Sequence, residues 1–73
     1  MICYRNVYDY GTRLHKASIP RVSLHAARKS GKALLGLDTL FGVRGARWLG
    51  VEMIDMTKKG ITVIIFYPNK DKP

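Results

Sequence analysis

Apolar and polar positions along this chain fall into two kinds of pattern. Near the start, Ile2, Tyr4, Val7, Tyr8 and Tyr10 mark an aromatic-rich run over residues 2–10 that reads as a strand, interrupted by Gly11 and Thr12. Near the end, WLGVEMIDM and ITVIIFY are β-rich runs separated by TKKG, the pattern of a hairpin turning at Lys58–Gly60. Gly60 would take the positive-φ position of a tight turn with a bulge. Between them, PRVSLHAARKSGKALLGL changes to a helical period. Ser18 or Ile19 can cap that helix, Pro20 suits its first turn, and Gly36 suits the position just past its end. The spacing predicts a helix over 19–35. Residues 38–47, DTLFGVRGAR, carry two glycines and read as turn and loop, with room for one short helical turn.

These elements predict an α+β fold. It is a single small domain over residues 1–73, with a short antiparallel sheet, one main helix and residues 69–73 as a polar tail. A chain of 73 residues buries only about 60% of the surface it exposes when unfolded, so its stability margin is thin. In ITVIIFY, Ile61, Val63, Ile65 and Tyr67 alternate with Thr62, Ile64 and Phe66, so both faces are apolar. Such a strand is expected to be central and covered on each side. One helix covers only one face, so the other is left to the N-terminal segment, to the loop around Phe41 and Trp48, or to a second chain. A monomer and a homodimer both fit. Lys70 and Lys72 would discourage edge-to-edge aggregation.

Charge changes the picture more than length does. Thirteen Lys and Arg stand against five Asp and Glu, a net charge of +8. No acid falls between Tyr10 and Leu37, where Arg13, Lys16, Arg21, Arg28, Lys29 and Lys32 all lie, and Arg44 and Arg47 follow. Solubility alone does not require such segregation, whereas attraction to nucleic acid or to an acidic protein surface would. On a helix turning about 100° per residue, Arg21, His25, Arg28 and Lys32 form one stripe within about 60°. Val22, Ala26, Ala27, Ala33 and Leu34 sit opposite. A plain solvated face would mix in Glu, because opposite charges at i,i+4 stabilise it.

The remaining chemistry is mostly exclusion. The 47% hydrophobic fraction is too high for a disordered chain, and no run reaches the roughly 18 apolar residues of a membrane helix. The start MICYRNVYDY lacks a charged-then-apolar pattern, so no signal peptide is expected. Cys3 is the only cysteine, which excludes an internal disulfide and fits a reducing, cytoplasmic setting. No metal site or cofactor is expected, because His15 and His25 have no carboxylate or cysteine at ligand spacing. Ser30-Gly31-Lys32 lacks the earlier glycine and the following hydroxyl of a phosphate-binding loop. Ala27 and Gly31 have helix-turn-helix spacing. Lys32 stands where a buried residue should follow, however, and ALLGL offers nothing to read base edges.

TKKGITVIIFYPNKDKP resembles the second strand and turn of HicA-type mRNA interferase toxins over about 17 residues of mostly turn chemistry. The family's Gly-Ser-His-His segment and following helix have no counterpart, so its RNase activity is not carried over. The expectation is a non-enzymatic regulator acting on nucleic acid or the transcription machinery. Its candidate contacts are Arg13, Lys16, Arg21, His25, Arg28, Lys32, Arg44 and Arg47. The alternative is a phage- or plasmid-type effector docking on an acidic surface of a host enzyme such as RNA polymerase, with Ile2, Tyr4 and Phe41 as apolar contacts. Trp48 suits either a core anchor or a stacking platform, and its place near the hairpin start favours the core.

Overall fold

The first strand turns back on itself sooner than its sequence announces. The computed structural model describes residues 1–17, 19–33 and 46–69, together with the backbone of 39–40 and 43–44. Ile2–Asp9 form β1. At its end the Asp9 carboxylate accepts the Gly11 N–H at 2.7 Å, and Gly11 adopts φ 88°, a conformation open to glycine. Leu14–Lys16 then run back as β2, antiparallel to β1 with His15 opposite Tyr8. Three residues with one large apolar side chain give no alternation to detect, so this strand is absent from the sequence reading.

Ala17 and Arg21 pair with β1 instead of entering the helix, and Ser18 lies outside the described residues. The Ala17 N–H donates to the Asn6 carbonyl at 2.9 Å, and Arg21 and Tyr4 exchange backbone hydrogen bonds at 2.6 and 2.9 Å. Helix α1 is therefore Leu24–Lys32, not 19–35. Its cap is Ser23, whose hydroxyl accepts the Ala26 N–H at 3.1 Å, and Ala33 closes its other end. Pro20 lies ahead of the helix instead of inside its first turn. The physical reason is that β1 satisfies the backbone groups of Arg21, which a helix would otherwise have to use. Gly36 lies outside the described residues.

Thr39–Leu40 and Val43–Arg44 pair as the short antiparallel strands β3 and β4, where the sequence suggested turn and loop with room for a short helical turn. Arg47–Thr57 form β5 and Gly60–Pro68 form β6, joined at Thr57↔Gly60 by a Lys58–Lys59 turn. Gly60 has φ 142°, as the hairpin reading expected. The main sheet is antiparallel with strand order β2-β1-β5-β6. The result is a small domain, mostly β and α+β in class, with one helix among the described residues.

Paired residues share a face, so the registers sort the sheet. Tyr4, Asn6 and Tyr8 align with Met53, Val51 and Trp48 on the side that carries α1. There Tyr8, Ala27, Trp48 and Val51 form the core, with Tyr4, Tyr10 and Leu24 packed around them. The Ala27 and Gly31 spacing has its explanation here: both are buried where the helix meets the sheet. Cys3, Val7, Glu52 and Ile54 are buried on the opposite face. Each fully buried aliphatic side chain contributes roughly 1.5–3 kcal/mol, a large share of a small domain's margin.

β6 departs most from expectation. It is an edge strand, not a central one, and Ile61, Val63, Ile64, Ile65 and Phe66 are each 43–47% exposed. Strand composition cannot distinguish a covered strand from an uncovered one, because the cover comes from elsewhere in the chain.

Candidate functional site

Helix α1 positions its cations by what it buries. The close approach of Gly31 to the Trp48 indole and the burial of Ala27 fix the rotation of the helix. His25, Arg28, Lys29 and Lys32 are consequently exposed. The first turn holds no acid, while Lys29 and Lys32 stand in the last turn, where they also favour the negative end of the helix dipole.

Trp48 is a core residue. It is 7% exposed, and its indole N–H donates to Asn6 Oδ1 at 2.9 Å and to the Gly50 carbonyl at 3.0 Å. The Asn6 amide in turn donates to the Ala27 carbonyl at 3.0 Å, so one buried amide ties β1, β5 and α1 together. Asn6 was missed in the sequence, although a lone amide inside an apolar strand is a usable signal. One edge of Trp48 still borders a cavity of about 130 Å³, lined also by Arg28, Lys32, Gly50, Tyr67, Pro68 and Asn69. Gly50, at φ 149°, keeps this end narrow: a side chain there would meet the Tyr67 carbonyl and stand 2.9 Å from the Pro68 Cα.

The described acids sort the other candidate cations. Asp9 accepts from Arg47 Nη2 at 3.0 Å. The Gly11 N–H and then the Arg47 guanidinium lower its pKa. Glu52 is buried and holds Arg5 Nε at 2.5 Å and Lys16 Nζ at 3.2 Å. Asp55 holds the Met1 amine at 2.8 Å. Lys16 and Arg47, both candidate contacts, are thus engaged within the fold. Arg21 leaves the helical stripe because its backbone pairs with Tyr4, yet it stays exposed. Arg13 is exposed in the β1–β2 turn. Ile2 is exposed, whereas Tyr4 packs against the core and is not a free apolar contact. Phe41 and the Arg44 side chain lie outside the described residues, although the Arg44 backbone pairs with Thr39. Lys29, not among the candidates, shares the outward side of α1 with Arg28.

Among the described residues, no three His, Cys, Asp or Glu side chains converge as a metal site would require. His15 stacks on Tyr10 at 5.0 Å between ring centroids. No described helix is long and apolar enough to cross a membrane. Comparison with protein-family models, with curated proteins and with solved structures finds no match for this chain.

Proposed function

We propose that this chain is a small, basic, non-enzymatic regulator that binds the phosphate backbone of nucleic acid through the outward side of α1. The observation that carries the reading is where the negative charge of the described residues goes. Asp9, Glu52 and Asp55 pair with Arg47, with Arg5 and Lys16, and with the Met1 amine, all on the sheet or at its edges. Arg28 and Lys29 are therefore left to face solvent in a chain of net charge +8. Phosphates would relieve the repulsion between these neighbouring cations. Cationic side chains here suit phosphate oxygens, and contacts of that kind position a chain without themselves reading sequence.

The test is a salt titration of binding to a short duplex and to single-stranded RNA, comparing wild type with Arg28→Ala/Lys29→Ala. The control is Lys58→Ala/Lys59→Ala in the exposed hairpin turn, which removes the same charge elsewhere. On a duplex, losing two phosphate contacts should lower the log–log salt slope by about 1.8. The control should change it far less. Equal losses in both variants, or binding only to an acidic protein, would reject the backbone-binding reading.

A further inference from the structure

The two edges of the main sheet are built differently. β2 closes one edge with three residues, including Lys16, and Arg21 continues the pairing against β1. Short, charged strands are a common way of blunting an edge. β6 closes the other edge with nine residues and, among the described residues, has a strand partner, β5, on one side only. From Gly60 to Asn69 the sequence has no charged residue, the longest uncharged stretch in a chain of net charge +8. Its large apolar side chains are exposed on both faces. By register, Ile61, Val63 and Phe66 lie on the side of Ile54, and Ile65 lies on the side of Met53. The blunting features that remain are Pro68 at the strand end and the bulge that leaves Ile64 unpaired with β5.

We propose that β6 is the interface for a second copy of this chain, joined edge to edge in antiparallel fashion. The strand is complementary to itself. A two-fold axis between Val63 and Ile64, at the bulge, sets Ile61 against Phe66, both on the Ile54 side, and Thr62 against Ile65, both on the Met53 side, with Val63 meeting Ile64 at the centre. Every cross-strand pair is then apolar or hydroxyl-bearing, and no like charges meet, although each copy carries +8. An acidic partner gains nothing at this edge, because it offers no cation. An uncharged strand of the same character is what a second copy supplies. The contact would turn two four-stranded sheets into one continuous sheet. Antiparallel pairing places its two-fold axis perpendicular to the sheet, so both copies of α1 would lie on the same face.

Sedimentation equilibrium of the full chain, from about 1 to about 100 µM, covers the range in which such an interface dissociates. The expected result is a concentration-dependent rise to twice the 8.3 kDa chain mass. Hydrogen exchange at the β6 amides should slow over the same range. Ile64→Lys places two like charges beside the axis, one from each copy, and should weaken dimerisation at least about a hundredfold. Ile64→Thr, which keeps a β-branched side chain, should weaken it less. Circular dichroism confirms that each variant is folded. A wild-type chain that stays monomeric throughout overturns the proposal. So does a dimer that Ile64→Lys leaves intact, or one in which β6 exchange does not change with concentration.

Discussion

The backbone of Gly31 lies so close to the indole of Trp48 that a Cβ at position 31 would overlap the ring and stand 2.7 Å from Nε1. This contact lets α1 sit directly on β5, and so it sets which side of the helix faces out. Gly31→Ala tests it. Helix propensity alone would favour alanine by about 1 kcal/mol. Overpacking a core contact typically costs about 1–3 kcal/mol, and here the clash is with a ring held by two hydrogen bonds. The expected outcome is a net loss of about 1–2 kcal/mol, a fall in Tm of roughly 4–16 °C for a domain of this size. Near-ultraviolet circular dichroism should report a displaced Trp48. A stabilised variant would mean the helix shifts freely over the sheet.

Gly60 needs glycine for a different reason. Nothing lies within 4 Å of a Cβ built there, so space is not the constraint. Its φ of 142° is one that side-chain-bearing residues rarely adopt. Gly60→Ala should therefore destabilise by about 1 kcal/mol or more through backbone strain alone. The spectrum around Trp48, at the far end of β5, should be unchanged. Urea unfolding with an unaltered slope and a lower midpoint would have the expected form; an unaltered midpoint would refute the turn assignment.

How legible this fold is in its sequence depends on how locally each element is determined. The hairpin was readable because Thr57, Gly60 and the flanking β-branched runs specify it within a dozen residues. The strand over residues 2–10 was readable for the same reason. The helix start was not: Pro20 and the run of basic residues fit a helix, but Tyr4 captures Arg21 from across the sheet. β6 was misplaced because its apolar faces say only what could be buried. The basic span was legible as composition. Its division into engaged and exposed cations was not, since Glu52 lies 36 residues from Lys16 and Asp9 lies 38 from Arg47.

Acid should weaken the fold through Asp9. Its pKa is lowered in the folded chain by the Gly11 N–H and then by Arg47, so its contribution is present above the unfolded carboxylate value of 3.8. That contribution is lost as pH falls through the lower folded value. Asp9→Asn should melt below wild type at neutral pH, and the gap should close as the solution is acidified. Raised ionic strength should narrow the gap as well, because the Arg47 pair is exposed. Tyr8 acts at the alkaline end. Burial and then the neighbouring Tyr10 raise its pKa, so stability present below the unfolded tyrosine value is lost as pH rises through the folded one. A gap between wild type and Asp9→Asn that does not vary with pH would remove Asp9 from this account.

Glu52 should be the acid whose loss costs most. It is the buried carboxylate at the centre of the face opposite α1, and it holds two cations of unequal burial: Arg5 is 14% exposed and Lys16 is 40% exposed. Removing the carboxylate leaves the Arg5 guanidinium largely buried without its counter-charge. Breaking such a pair is strongly destabilising, and Glu52→Ala should cost about 2–4 kcal/mol. Lys16→Ala removes a charge that water already solvates and should cost less than about 1 kcal/mol. The asymmetry matters because a domain of this size has little stability to spare. Replacing both buried partners separates charge from packing. Arg5→Leu/Glu52→Leu leaves no unpaired charge and should recover most of the loss. The check is urea unfolding of the four proteins under one buffer. Equal costs at Glu52 and Lys16, or a double variant as unstable as Glu52→Ala, would show that the Arg5–Glu52 contact does not govern this face of the sheet.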